Sequence, residues 1–418
     1  MTAILFEEAA LAAQLREILE AGLVRSVYQP IVDLDTREVV AYEALARGPV
    51  GSALERPDLL FDAARACGLL AELEWACRAA ALHGALDAGL RKTLFVNVEP
   101  SLLDVDMPDS LNALFERAAS ELDVVVELTE RALTDKPAEM LARVETMRGR
   151  GLRMALDDVG ADHRSLALMP FIAPEVIKLD LRLVQDNPSP AIAAIVHAVN
   201  AQSERSGAVL LAEGIETEEQ LAVAQALGAR FGQGWLFGRP GELPLDTVAL
   251  GAPIAPRLMT PPAPISPYDA VAARVRPRRG SKALLLAISR HLEAQVAAQG
   301  ESAVVFAAFQ HARHFTPRSA ARYEKLAASA ALVGALGVGL SAEPVPGVRG
   351  ADLDADDALA GEWNVTVIAP HFAAAFVARD LGDTDGADME RRFDFCLTYD
   401  RDLAIEAARG LLARIAPR

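Results

Sequence analysis

Tyr42-Glu43-Ala44-Leu45-Ala46-Arg47 closes an apolar run, Val39-Val40-Ala41, and sets a carboxylate and a guanidinium four residues apart. On an extended strand, positions i, i+2 and i+4 share one face, so Glu43, Leu45 and Arg47 point the same way. A buried Glu and Arg on one face need a partner, a metal or a phosphate. Alone, the pair reads equally well as a structural ion pair at a strand end. The arrangement returns, however, as apolar strands whose far ends carry an acid or an amide. Asn97, Glu127, Asp157 with Asp158, Lys178 with Asp180, Glu213 and Gln233 all occupy such places. Any one of them could be a helix cap or a solvated turn. As a set they would repel one another unless cations neutralised them. An oxygen-rich set favours Mg²⁺ or Mn²⁺, whereas zinc would want His or Cys. Of the seven histidines, only His163 falls near a strand end of this series, in a loop. Two hard cations bridged by a carboxylate suit attack on a phosphodiester, because they acidify a shared water and stabilise the entering and leaving oxygens.

The elements that must position these residues follow a regular rhythm. An amphipathic helix is expected over 4–19, then apolar runs at 24–34 and 39–45 separated by the polar turn Asp35-Thr36-Arg37-Glu38, an antiparallel hairpin. Helical stretches then alternate with strands at 93–98, 124–128, 153–156, 176–179, 209–212 and 231–235. Hairpin plus six strands make a TIM-like β/α barrel of about 240 residues whose first strand runs against the rest. An open doubly wound sheet is the runner-up, but no glycine-rich phosphate turn follows the first strand. The barrel is expected over 1–248 and a proline-rich extended linker over 249–268. A smaller mixed α/β unit follows over 269–418. Within it, helices are expected at 283–298, 317–336, 372–378 and 403–415, and strands at 303–309, 364–368 and 393–399.

Composition bounds the partners. The 418 residues carry a net charge of −17, which argues against a nucleic-acid polymer or an anionic membrane surface. A small phosphate ligand stays open, because a bound divalent cation inverts the local field. Cys67, Cys77 and Cys396 have no metal-type spacing and suggest reduced thiols. The acidic amphipathic start is unlike a signal peptide, and no apolar run is long enough to span a bilayer. A soluble, cytoplasmic protein is expected.

In order along the chain stand Tyr28-Gln29-Pro30-Ile31, Glu43-Ala44-Leu45-Ala46-Arg47, Asn97, Glu127-Leu128-Thr129-Glu130, Asp157-Asp158, Lys178-Leu179-Asp180, Ala212-Glu213-Gly214-Ile215-Glu216-Thr217 and Gln233-Gly234. This series resembles the EAL-domain phosphodiesterases, which hydrolyse the bacterial second messenger cyclic di-GMP to linear pGpG. The resemblance covers residues from about Ile4 to Val248. It implies two Mg²⁺ or Mn²⁺ ions per site, with Glu43, Asn97, Glu127 and Asp157 as ligands to one cation and Asp158 serving the second. Glu213 would complete the metal shell or position the nucleophilic water, and Lys178 would hold that water and stabilise the developing charge. Gln29 and Arg47 would contact the substrate, Arg47 through a phosphate, with Gln233 supporting the site. Glu130 and Glu216 would hold the loop after the fifth strand, unless they merely cap or pair. That loop departs from the family. Asp157-Asp158-Val159-Gly160-Ala161-Asp162-His163-Arg164-Ser165 stands where Asp-Asp-Phe-Gly-Thr-Gly-Tyr-Ser-Ser is usual, and in the family it couples metal binding to dimerisation. A homodimer through the barrel is compatible with the resemblance. Glu99 also stands where a small residue is usual.

The second unit resembles the DICT sensory domains found attached to cyclic di-GMP enzymes and other signalling modules. The resemblance rests on 304–310, on the helix following Phe315-Thr316-Pro317, on 363–368 and on 393–399. Phe306, Phe309, Phe315, Trp363 and His371 are expected as ordinary core, with a ligand pocket as the alternative. The resulting expectation is a metal-dependent cyclic di-GMP phosphodiesterase regulated by a sensory domain of unknown signal or partner. The alternative is a catalytically weak receptor that binds cyclic di-GMP without efficient turnover.

Overall fold

The computed structural model describes residues 2–99, 107–129, 137–161, 165–244, 254, 263–382 and 387–415. Helix α1 (Thr2–Glu20) precedes the hairpin β1 (Arg25–Asp33) and β2 (Val39–Arg47). Then follow α2 (Pro57–Cys67), α3 (Leu70–Asp87), β3 (Thr93–Val98), α4 (Asn112–Glu121), β4 (Val124–Thr129), α5 (Pro137–Gly149) and β5 (Arg153–Val159). The barrel continues with α6 (Ser165–Ile172), β6 (Val176–Leu179), α7 (Leu181–Gln185), α8 (Pro190–Ser206), β7 (Val209–Ala212), α9 (Glu218–Ala226) and β8 (Phe231–Gln233). The strands close in sequence order from β1 to β8. Strand β1 runs antiparallel to both neighbours, and the others are parallel. This is the expected TIM-like barrel with its reversed first strand.

Local chemistry sets the element ends. Helix α9 opens with a capping box, in which Thr217 accepts from the Gln220 N–H and Gln220 reaches back to the Thr217 N–H. Helix α8 begins with Pro190 behind the Ser189 cap and ends at Gly207, whose φ of 76° is left-handed. Strand β5 runs past its expected end at residue 156 to Val159, so Asp157 and Asp158 are strand residues, and Asp158 takes a φ of 57°.

The second unit is a seven-stranded mixed sheet in the order β12-β11-β10-β13-β14-β15-β9. Its elements are α10 (Pro267–Ala272), β9 (Arg278–Ser281), α11 (Lys282–Gln299), β10 (Val304–His311), α12 (Pro317–Ala327), β11 (Leu332–Val338), β12 (Arg349–Asp352), β13 (Glu362–Ile368), β14 (Ala373–Asp380), β15 (Arg392–Thr398) and α13 (Arg401–Leu412). Pro267 lies inside the expected linker but is the first residue of α10, where its missing N–H costs nothing. Two expected helices are corrected. The helix expected over 317–336 ends at Ala327, and Leu332–Val338 is a strand parallel to β10. The helix expected over 372–378 is β14, paired antiparallel with β13 and β15. Both are buried on the two faces of a central sheet, so they lack alternation, and their alanines invite a helical reading that tertiary packing overrides.

Strand β10 shows how the sheet is covered. Val305, Ala307 and Phe309 face a core with Leu285 and Leu292 of α11 and Tyr323 of α12. Val304, Phe306 and Ala308 face the other way, into a core that also holds Ala404 and Leu411 of α13 and Leu166 and Phe171 of α6. Phe171 of the barrel meets Phe306 of the sheet edge to face at 6.0 Å. Arg409 on α13 donates to Glu145 on α5 at 3.0 Å. The barrel and the second unit therefore share one apolar core through α6. Among the described residues, no helix is long and apolar enough to cross a membrane.

Candidate active site

One buried apolar side chain from every barrel strand meets at the axis: Ile31, Ala41, Phe95, Val125, Ala155, Val176, Leu211 and Phe231, with Ile254 closing the layer. Side chains two residues apart share a strand face. The next inward layer is therefore Gln29, Glu43, Asn97, Glu127, Asp157, Lys178, Glu213 and Gln233. The apolar layer excludes water from beneath, and the polar layer forms the floor of the mouth.

Lys178 stands at its centre and is 1% exposed. Its ammonium lies 2.7 Å from Glu127 Oε1, 2.8 Å from Glu213 Oε1, 2.9 Å from Asp157 Oδ1 and 3.7 Å from Glu43 Oε2. Burial alone would push the lysine down, but these carboxylates hold it well above its ordinary range. Glu43 receives Asn97 Nδ2 on one oxygen at 3.0 Å and Gln233 Nε2 on the other at 2.7 Å. Gln233 Nε2 also reaches Gln29 Oε1 at 3.0 Å, and Gln29 Nε2 donates to Gly238 O at 3.3 Å. Burial pushes the Glu43 carboxyl up. Lys178 and these amide donors outweigh it and hold Glu43 below the usual carboxylate range. Glu127 goes the other way, driven well up by burial and by Glu43. Burial pushes Glu213 up to about 8, with Lys178 opposing.

One lysine cannot neutralise this many acids. Glu127 Oε2 is buried with no hydrogen-bond donor among the described residues, and Asp157, Asp158 and Glu213 offer oxygens within 4.8 Å of one another. An all-oxygen donor set with an orphaned carboxylate oxygen fits hard divalent cations. Ligating carboxylates must be deprotonated, so cation and protons compete. With Glu213 at about 8, Mg²⁺ or Mn²⁺ affinity is expected to be about tenfold weaker at pH 7 than at pH 9. Binding at pH 7 should release protons. Calorimetric titration in buffers of different ionisation enthalpy checks this, and a buffer-independent heat would contradict it.

Arg47 ends β2, half-buried, and donates to Ala46 O at 2.8 Å. Burial and the neighbouring Arg25 push its pKa down. It borders a cavity of about 270 Å³ together with Asn97, Glu99 and the Glu74–Arg78 ion pair of α3. Glu216 is exposed ahead of α9, outside the carboxylate cluster, where its N–H donates to Gln220 at 2.7 Å. Glu130 and His163 lie outside the described residues. Sequence reasoning missed two features of the mouth. Glu74 is buried, accepts from the Glu99 N–H at 3.4 Å, and is pushed up chiefly by burial. Trp235, two residues past Gln233, is 54% exposed with the Arg239 guanidinium 4.1 Å over its ring. An aromatic just beyond a strand-end amide was a signal available for the second.

Comparison with known proteins agrees with this architecture. Residues 12–240, more than half of the chain, match the family model of the EAL domain. Residues 269–381 match the DICT model, described as a sensory domain in diguanylate cyclases and two-component system. The uncharacterised EAL-domain containing protein YkuI of Bacillus subtilis is 28% identical over 225 residues, 52% of this chain and 55% of YkuI. The cyclic di-GMP phosphodiesterase RocR of Pseudomonas aeruginosa is 31% identical over 230 residues, 53% of this chain and 58% of RocR. The chain thus spans less than two thirds of the length of these relatives. The EAL domain of Xanthomonas citri FimX, solved in complex with c-diGMP, matches with a TM-score of 0.51 at 18% identity, covering 58% of this chain and 98% of that one. That likeness is one of fold.

Proposed function

Because the chain belongs to the EAL domain family, we propose that it hydrolyses cyclic di-GMP to linear pGpG in bacterial second-messenger signalling, under control of its C-terminal domain. The observation that carries the reading is the ring of carboxylates around Lys178, with Arg47 bordering a cavity that Asn97 of the same floor also lines. A likeness to RocR, a cyclic di-GMP phosphodiesterase, supports the substrate.

Glu43, Asn97, Glu127, Asp157, Asp158 and Glu213 would hold two Mg²⁺ or Mn²⁺ ions. When bound, these supply Lewis acidity toward water and the phosphoryl oxygens. Hydrolysis adds a water oxygen to phosphorus and breaks one bond to a ribose oxygen. Arg47 offers a planar fork to a non-bridging phosphate oxygen pair. Lys178, fixed between carboxylates, places a permanent positive charge where negative charge develops. Glu213 orients the water and accepts its proton. Asn97 and Gln233 fix the two Glu43 oxygens, Gln29 accepts from Gln233, and the exposed Trp235 face suits a guanine. The altered loop after Asp158 favours the second reading, a receptor that binds without efficient turnover.

Control by the C-terminal domain rests on chain continuity. Helix α6, which packs on α13 and carries Phe171 against Phe306, begins seven residues after Asp158. A shift of the sensory unit on α6 reaches the metal-holding strand end with few intervening residues. Both readings are tested by chromatography of products from cyclic di-GMP, using the full chain with Mg²⁺ or Mn²⁺ and an EDTA control. Metal-dependent pGpG is expected. Binding without product would make the protein a receptor. The same assay on Arg409→Ala and Glu145→Ala should show a rate changed at least threefold. Unchanged rates would remove the regulatory reading and leave the hydrolytic one standing.

A further inference from the structure

Away from the barrel mouth, the sensory unit holds a cavity of about 610 Å³ between α11, the end of β10 and the start of α12. Phe309, Trp363 and Phe393 give it an aromatic wall, in which Trp363 and Phe393 meet edge to face at 5.9 Å. The rest of the lining is largely cationic, in a chain whose net charge is −17. Its two acids are already engaged. Glu293 accepts from the Tyr323 hydroxyl at 2.9 Å and pairs with Arg322. Asp388 pairs with Lys282 at 2.6 Å and with Arg391 at 3.5 Å. Arg290, Arg313 and Arg318 line the same cavity with no ion pair to any described residue. Helix α12 also begins at the cavity, with Thr316 and Pro317 on its lining, so the positive end of the helix lies beside the same space.

The backbone at the cavity is distorted as well. Strand β10 bulges between Ala308 and His311, and Gln310, on the cavity wall, takes a φ of 62°. Positive φ at a non-glycine residue is costly and collects at binding sites. A bulge re-aims the strand end, and here it brings Gln310 to the cavity wall. The volume lies in the range of small-molecule pockets, which combine apolar walls with a few convergent polar groups.

We propose that this cavity is the ligand site of the sensory unit, and that it takes a small organic anion with an aromatic ring. The ring packs on Trp363, Phe309 and Phe393, and the anionic head, a carboxylate, sulfonate or phosphate, is gripped by Arg313, in the turn after β10, and Arg318, in the first turn of α12. Planar guanidiniums suit such heads because they donate two parallel hydrogen bonds. None of these lining residues belongs to the barrel, so binding here can be measured without turnover.

Fluorescence titration of the full chain with anilinonaphthalene sulfonate tests this, alongside its uncharged parent phenylnaphthylamine. Arg313 and Arg318 are exposed, so the double variant Arg313→Gln/Arg318→Gln should fold, which its thermal melt verifies. One saturable sulfonate site is expected, with affinity at least threefold weaker in that variant and phenylnaphthylamine affinity the same in both proteins. The control Arg56→Gln/Arg65→Gln removes the same charge from the barrel surface and should leave sulfonate affinity unchanged. A change of less than threefold in the cavity variant, or an equal loss in the control, overturns the proposal.

Discussion

Glu43→Gln is expected to lower the rate of pGpG formation at least about a thousandfold while leaving the fold intact. The substitution is isosteric, so packing against the apolar layer does not change. What changes is polarity. Both Glu43 oxygens receive amide donors, from Asn97 at 3.0 Å and from Gln233 at 2.7 Å. A glutamine must turn its own NH₂ toward one of them, setting donor against donor and displacing that amide. The variant also loses an anion from the cation-holding set, and a carboxamide is a much weaker ligand for Mg²⁺ or Mn²⁺ than a carboxylate. Stability should fall modestly, because Glu43 is held below the usual carboxylate range and its ionised form therefore stabilises the fold at neutral pH, although relief of Glu127 offsets part of the loss. The expected melting temperature in EDTA is somewhat below that of the wild type at pH 7, with the gap closing as pH falls through the carboxylate range. Binding of cyclic di-GMP through Arg47 should stay within about tenfold. Product chromatography, thermal melts and calorimetry check the three parts. Activity within tenfold of the wild type would mean that Glu43 is not a metal ligand.

The barrel and the polar floor were legible for one reason. Each floor residue sits two positions from an apolar side chain on the same short strand, and the period-two rule needs no knowledge of partners. Asn97 after Phe95, Glu127 after Val125 and Lys178 after Val176 are examples. Two elements of the second unit were not legible. Ala373-Ala374-Ala375-Phe376-Val377-Ala378 has the composition of a helix, and only pairing with β13 and β15 makes it a strand. The cavity of the sensory unit was hidden similarly. Phe306 and Phe309 lie three positions apart in one aromatic-rich strand, yet the alternation sends Phe306 into the core shared with the barrel and Phe309 to the cavity wall. His371 lies elsewhere, lining a groove with His197 and Pro190 of the barrel. The contact between the two units depends on pairs such as Glu145 and Arg409, 264 positions apart, which no local pattern encodes.

Lys178→Met should separate the lysine's structural role from its chemical one. In the absence of metal, Lys178 is the cation that Glu127, Asp157, Glu213 and Glu43 all face. Methionine fills the aliphatic volume but leaves those acids uncompensated, and breaking a buried ion pair from one side costs about 3–5 kcal/mol. The deficit must depend on pH with a definite sign. Without the ammonium, Glu127 and Glu213, already raised, rise further and Glu43 loses the charge that holds it down, so the folded state binds more protons than the unfolded one. Stability then falls as pH rises from the unfolded carboxylate range, about 4.5, through the raised folded values. In EDTA, the gap in melting temperature between variant and wild type is expected to be small near pH 5 and to widen up to pH 8 and beyond. Saturating Mn²⁺ should narrow it, because divalent cations supply the missing charge. Activity should nevertheless stay at least about a hundredfold down with metal present, since the fixed charge aimed at the reacting phosphate is gone. If Lys178 serves only packing, the gap will be the same at every pH and indifferent to Mn²⁺. A gap that widens with pH and closes with Mn²⁺, beside a rate that does not recover, would identify Lys178 as the counter-charge of the carboxylate cluster and as a participant in the reaction.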